Sequence, residues 1–214
     1  ALVADAGHNL SDVLGLVMAW GATALARRRP SPRFTYGLRS SSILAALFNA
    51  VLLLVAVGAI VVEAVRRLMD PSPVAAGVVM AVAAAGIAIN ALTAWMFASG
   101  RKGDLNIRGA YLHMAADAAV SLGVVVAALV MMFTGWVWID PVVSLVISAV
   151  IVAGTWGLLR DSTSMALHAV PPGLDLRAVE AQLLARPGVV RVHDLHVWSM
   201  STTETALTAH LQIP

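Results

Sequence analysis

The sequence contains no cysteine among its 214 residues. That absence excludes disulfides, thiolate metal sites and cysteine nucleophiles together, so any metal site must use nitrogen and oxygen ligands. Charged residues are also scarce at 12%, about half the fraction of a typical soluble domain. Lysine occurs once, at Lys102, and no basic face is interleaved with aromatic residues. Nucleic-acid binding is therefore not expected.

Apolar residues dominate what is present. They make up 59% of the chain, and the mean hydropathy is +0.84. Five segments are apolar enough and long enough to cross a bilayer, which takes about 20 residues as a helix. They are residues 3–26, 41–65, 73–98, 106–133 and 138–159. We therefore predict an α-helical membrane domain over residues 1–162.

The basic residues between these segments predict the orientation. The first loop (27–40) holds five arginines and the third (99–109) holds three basic residues, whereas the second has Arg66 and Arg67 and the fourth has none. The positive-inside rule places the first and third loops and the C-terminal segment in the cytoplasm. An odd number of crossings then starts outside, so we expect one further helix before this chain and expect both ends to be trimmed from a longer protein.

Residues 163–214 have a different pattern. Residues 174–186 have the 3.6-residue period of an amphipathic helix, and residues 189–200 and 205–213 alternate as strands do. This part predicts a small, incomplete α+β domain of order α-β-β in the cytoplasm.

Two membrane segments carry a histidine and an aspartate at the same spacing. "AGHNLSD" contains His8 and Asp12, and "YLHMAADAAV" contains His113 and Asp117. Residues four apart share one face of a helix. If the two helices pack with these faces together, two imidazoles and two carboxylates converge, a set that suits a tetrahedral divalent ion and zinc above all.

The free-energy cost of placing these side chains inside the membrane favours a functional site over a structural role. One intramembrane histidine or aspartate can simply form a hydrogen bond to a neighbouring helix. An aspartate at bilayer depth, however, costs about 2.5–3.5 kcal/mol on insertion scales, and the predicted helices contain no arginine or lysine at depth. The carboxylates must therefore be neutralised by a cation or by protons.

Several stretches resemble the cation diffusion facilitator family in its bacterial zinc-transporter branch. They are "LVADAGHNLSD", "FTYGLRSSSILAALFNA", "HMAADAAVSLGVV", "IDPVVSLVISAVIV" and "VHDLHVWSMSTTETALTAHL". The resemblance covers essentially the whole chain. It implies a six-helix transmembrane bundle whose first helix is absent here, followed by a metallochaperone-like cytoplasmic domain. It also implies homodimers in the inner (plasma) membrane that export divalent metal in exchange for protons.

The resemblance assigns the same four membrane residues to the transport site. It implies that the variant with two histidines prefers zinc to cadmium. Some relatives also bind metal in the first loop through histidine and aspartate, but residues 27–40 contain neither, so we expect no metal site there.

The resemblance further implies a cytoplasmic zinc site at His193 and His210, which would be regulatory. A strand histidine bonded to its neighbour is the alternative. His168 and His196 are weaker candidates. The acidic ligand that often follows the last histidine is not seen, and Gln212 stands near its place.

Two other functions use the same residues. An intramembrane zinc hydrolase would activate a water on the metal, but there is no HExxH motif and no spare carboxylate at depth to act as a general base. A membrane-anchored metal sensor would need no ligands inside the membrane. We therefore predict a transporter and no enzyme.

Overall fold

The computed structural model describes residues 17–70, 76–98 and 105–213, apart from positions 19 and 23. At positions 76, 78, 79, 97, 105–113, 115 and 116 it describes the backbone alone. The described residues divide into two compact units, of which the first lies within Leu52–Gly154 and the second within residues 17–51 and 155–213.

Four long helices form most of the described structure. They are α1 (Ser41–Met69), α2 (Ala76–Ala98), α3 (Leu105–Thr134) and α4 (Ile139–Ala166). α1, α4 and the part of α3 from Asp117 to Thr134 are long and apolar enough to span a membrane, and α2 contains a shorter apolar stretch, Met80–Met96. Helical residues also occur between positions 17 and 26, whereas most of the predicted first segment lies outside the described residues. The helical membrane fold class is confirmed.

Two helices continue beyond the segments that hydropathy marks. α1 ends at Met69 and α4 at Ala166, whereas the predicted segments end at 65 and 159. Polar side chains at these ends do not interrupt the helix, because its backbone hydrogen bonds are satisfied internally. α4 terminates where His168 adopts φ 58° and the amide of Ala169 donates to the carbonyl of Ser164, a left-handed cap usually made by glycine.

The first unit has one apolar core to which all four helices contribute. Its buried members are Val57, Ala83, Val124, Ala128, Met131, Ile147 and Ile151. Two of these residues are alanines. Between membrane helices no hydrophobic effect drives association, so close van der Waals packing matters, and small side chains allow the helices to approach closely. α2 and α3, which are joined by a short connection, pack against one another.

A buried ion pair also joins two of these helices. Arg67 Nη1 lies 3.4 Å from Asp140 Oδ2, and only 2% of the Asp140 side chain is exposed. Arg67 Nε also donates a hydrogen bond to Glu63 Oε1 at 2.9 Å. The predicted segment ends at 65, before Arg67, whereas the helix continues to Met69 and Arg67 is paired inside the fold.

In the second unit, the loop before α1 folds against the helical residues that precede it. Gly37 has φ 72°, and a Cβ there would lie 3.1 Å from the carbonyl oxygen of Arg28. Both observations require glycine. Ser41 Oγ donates to the carbonyl of Ala22 at 2.9 Å, which fixes the start of α1.

The cytoplasmic part contains α5 (Leu176–Leu184) and an antiparallel pair, β1 (Arg191–Ser199) and β2 (Thr205–Gln212). Asp175 caps α5 by accepting a hydrogen bond from the amide of Arg177 at 3.0 Å. β1 carries a bulge between His193 and His196. The predicted small α+β domain is confirmed.

Candidate metal sites

Asp117 lies on the buried face of α3. It is 6% exposed, and the residues four, seven, eleven and fourteen positions further along are buried as well: Ser121, Val124, Ala128 and Met131. These spacings follow one face of a helix. A carboxylate therefore points into the same interface as the apolar core, on a helix that contains a stretch long and apolar enough to span a membrane.

The other three residues of the predicted membrane site are not brought together by the described structure. His113 belongs to α3, one turn before Asp117, but its side chain lies outside the described residues. His8 and Asp12 also lie outside the described residues. The four-ligand site therefore stays a prediction, of which the structure describes one carboxylate and the helix that carries it.

Two predicted cytoplasmic residues do lie side by side. His193 on β1 is the register partner of His210 on β2, and their ring centroids are 5.3 Å apart. Directly opposed residues share one face of an antiparallel pair. The strand register thus explains why side chains 17 positions apart in the sequence meet.

Asp194 stands between the two imidazoles. Its Oδ2 lies 3.3 Å from His193 Nδ1 and 3.1 Å from His210 Nδ1. Ligand atoms of these three residues all lie within 4.8 Å of one another, which makes a nitrogen and oxygen set of the kind zinc accepts.

The β-bulge is what turns Asp194 toward the histidines. Successive strand residues normally point to opposite faces, so Asp194 would point away from His193 in a regular strand. Between the two flanking pairs, however, β1 has two residues, Asp194 and Leu195, where β2 has one. Asp194 adopts φ 51°, a left-handed conformation that aspartate tolerates better than most residues, and bulges characteristically re-aim a side chain.

The electrostatics of the cluster favour a cation. The hydrogen bond from His193 lowers the pKa of the Asp194 carboxyl, and the neighbouring His210 adds to the effect. The carboxylate is therefore ionised at neutral pH and below it. A negative charge flanked by two imidazole nitrogens is a ready set of ligands for a divalent metal.

Sequence reasoning overlooked Asp194. It sought the acidic ligand after the last histidine, near Gln212, which instead pairs with Arg191 at the far end of the strands. The signal in the sequence is the dipeptide His193-Asp194. His168 and His196 lie elsewhere in the second unit, in a cavity of about 670 Å³ that Tyr36 and Trp198 also line.

Membrane helices with a buried carboxylate, followed by an α+β domain with a histidine and aspartate cluster, define a polytopic membrane protein that handles cations. Residues 1–166 match the model of the cation efflux transmembrane domain, and residues 171–214 match that of the cation efflux protein cytoplasmic domain. The chain belongs to the cation efflux family, also called the cation diffusion facilitators. It is accordingly a multi-pass transporter of the inner (plasma) membrane with a cytoplasmic C-terminal domain, and not an enzyme.

Individual relatives match along nearly the whole chain. It is 39% identical to the metal cation efflux system protein CzcD of Cupriavidus metallidurans, over 99% of this chain and 67% of that protein. It is 38% identical to the zinc transporter ZitB of Escherichia coli, over 100% of this chain and 68% of that protein. It is 34% identical to a cadmium, cobalt and zinc/H(+)-K(+) antiporter of Bacillus subtilis, over 98% and 68% respectively.

Proposed function

We propose that the protein exports zinc, and divalent metals of similar ligand preference, in exchange for protons. The observation that carries the proposal is Asp117, a carboxylate on the buried face of a membrane-spanning helix. With His113 one turn earlier, and with His8 and Asp12 on the first predicted segment, it would form the transport site. The names of the relatives, which include two zinc transporters and an antiporter with protons, support the same assignment.

Competition between metal and protons supplies the coupling. Metal binds neutral imidazole and ionised carboxylate, so a proton and a metal cannot occupy the same ligand atom. In the proposed cycle, the site takes metal from the cytoplasm while its ligands are deprotonated. When the site opens outward, protons bind the ligands and metal leaves. In this cycle, only the four proposed ligands need to gain and lose protons.

A metal site with four protein ligands suits transport better than hydrolysis. A catalytic zinc keeps a coordination position open for water, whereas a site closed by four side chains leaves none. The membrane-anchored sensor is also disfavoured, because a sensor in the cytoplasmic domain gives no reason to bury Asp117 in a membrane helix, where a carboxylate is costly.

Reconstituted vesicles test this proposal. We expect zinc to accumulate in proteoliposomes when a pH gradient drives protons outward, and accumulation to stop when an ionophore dissipates the gradient. Zinc should be transported faster than cadmium, since two imidazoles are among the ligands. Zinc movement that ignores the proton gradient would rule out the exchange, and peptide or ester hydrolysis without zinc movement would favour the hydrolase.

We further propose that His193, Asp194 and His210 bind zinc in the cytoplasmic domain and that this domain forms homodimers. Three protein ligands leave one position of a tetrahedral zinc ion open. The cluster is exposed, with 46% of the His193 side chain and 71% of the His210 side chain accessible. A water or a group from a second protomer can therefore complete the coordination, which gives zinc a regulatory role in the dimer.

Replacing the carboxylate alone tests the cytoplasmic site. We expect Asp194→Asn and Asp194→Gly each to weaken zinc binding by the cytoplasmic domain about 10- to 100-fold, the range seen when groups that organise a metal site are removed. Both residues tolerate the left-handed backbone of the bulge, so the strands should stay paired. Zinc titration by calorimetry, with metal at the membrane site blocked by Asp117→Asn, provides the measurement.

The control for this experiment is Glu180→Gln, which removes an equal charge from the exposed surface of α5. It should bind zinc as the unmodified protein does. Affinity should also fall at acid pH, because a protonated imidazole cannot bind metal. Unchanged affinity in both Asp194 variants would exclude the carboxylate from the site.

A further inference from the structure

A basic cleft lies in the second unit, where the residues after the first helical segment face the turn between β1 and β2. Its volume is about 540 Å³, within the range of small-molecule sites. The cleft is lined by Ala26, Arg27, Arg28, Arg29, Pro30, Arg39, Ser42, Ser201, Thr202, Thr203 and Glu204.

The charges lining the cleft are unbalanced. Four arginines face a single carboxylate, Glu204. Glu204 Oε1 is 2.9 Å from Arg39 Nη1, while Arg27, Arg28 and Arg29 form no ion pair with a carboxylate among the residues that the structure describes. The cleft therefore carries an excess of positive charge that nothing in the described chain neutralises, and an anion would be attracted to it.

Hydrogen bonds hold the two sides of the cleft together. Thr202 N donates to Ser42 Oγ at 3.2 Å, and Ser40 Oγ donates to the carbonyl of Met200 at 3.2 Å. Within the turn, Ser201 Oγ accepts from the amides of Thr203 and Glu204 at 3.2 and 3.0 Å. These bonds fix the turn beside the guanidinium groups, whose N–H donors recognise the oxygens of phosphate.

We propose that this cleft binds the phosphate group of an anion. An anionic phospholipid headgroup and free inorganic phosphate share this chemistry. The arginines directly follow helical residues whose large apolar side chains, Val17, Trp20 and Leu25, are exposed, as they are on a helix that faces lipid. The loop is basic and lies on the cytoplasmic side, where anionic lipids attract arginines close to a membrane helix.

An occupant would compete with Glu204 for Arg39. The ion pair between them is exposed, with 42% and 47% of the side chains accessible, and such pairs are weak. A bound phosphate would therefore replace a contact between the start of α1 and the turn of the cytoplasmic domain by contacts through the anion. The cleft lies where the residues around the start of α1 meet the turn between β1 and β2.

Lipid titration of the purified chain in an uncharged detergent tests the proposal. Dioctanoyl phosphatidylglycerol should bind more tightly than dioctanoyl phosphatidylcholine in native mass spectrometry. The variant Arg28→Gln with Arg29→Gln should weaken phosphatidylglycerol binding about tenfold or more, since one hydrogen bond to a charged group contributes at least that factor. The melting temperature should stay unchanged, because both side chains are exposed.

The matched control is Arg177→Gln with Arg186→Gln, which removes the same charge from exposed positions outside the cleft. It should change the affinity less than about twofold, in contrast to the loss expected at the cleft. A second arm adds inorganic phosphate: displacement of the lipid shows that free phosphate uses the cleft, and persistence of the lipid shows that a headgroup is the ligand. Equal losses in the two double variants, or equal binding of the two lipids, would overturn the proposal.

Discussion

Asp117→Asn is expected to reduce zinc flux at least about 100-fold, because it removes a charged ligand from the proposed transport site. Asparagine has nearly the same shape, so it should pack on the buried face of α3 as aspartate does. It also avoids the cost of placing a carboxylate at lipid depth. The protein should therefore keep its melting temperature while it loses transport, and zinc uptake into proteoliposomes measures the effect.

Asp161→Asn provides the control for this experiment. Asp161 is also a carboxylate on a long membrane helix, α4, but its side chain is exposed near the end of that helix. Its replacement should leave flux within about twofold of the unmodified protein, as for most exposed positions away from a site. If Asp117→Asn transports zinc as fast as the control does, Asp117 is not a ligand of the transported ion.

Arg67→Leu is expected to destabilise the membrane domain by about 3 kcal/mol, because it removes one partner of a buried ion pair, the guanidinium 3.4 Å from the Asp140 carboxylate. Only 2% of the Asp140 side chain is exposed, so water cannot replace the guanidinium. Loss of the pair between Arg67 and Glu63 adds little, since it is an exposed pair within one helix. Thermal unfolding in detergent should show a fall in melting temperature of about 10 °C.

The neighbouring arginine provides the matched control. Arg66→Leu makes the same change in charge and shape at an exposed position one residue away, and it should shift stability by less than about 0.5 kcal/mol. Adding Asp140→Asn to Arg67→Leu should restore at least half of the loss, because no buried charge then remains. Equal melting temperatures for Arg66→Leu and Arg67→Leu would show that the ion pair does not stabilise the fold.

The local sequence pattern predicted the structure of the two units to different extents. In the membrane unit, hydropathy predicted the class of fold but ended α1 at 65, before Arg67. Hydropathy measures transfer into lipid, and a charge that is paired inside the protein does not meet lipid. The fold buries Asp140 against Arg67, a pairing that hydropathy alone does not reveal.

In the cytoplasmic unit, alternation predicted both strands, and the family resemblance paired His193 with His210. Alternation could not predict the bulge, because the extra residue in β1 is apparent only when β1 is aligned with β2. Without the bulge, the alternation of a regular strand would place Asp194 on the face opposite to His193. The basic cleft was invisible for the same reason, since its arginines and the Ser201–Glu204 turn are separated by more than 160 positions.

The sequence alone showed that this chain enters a membrane, and it predicts which side its loops face and which residues are too costly to bury without a cation. Transfer free energy and helical spacing are local properties, so they can be read from neighbouring residues. Only the tertiary structure decided that Asp140 has a partner, that Asp194 joins His193 and His210, and that arginines surround an anion-sized cleft. Each of those depends on segments far apart in the chain coming within a few ångströms, where charge and hydrogen bonding take effect.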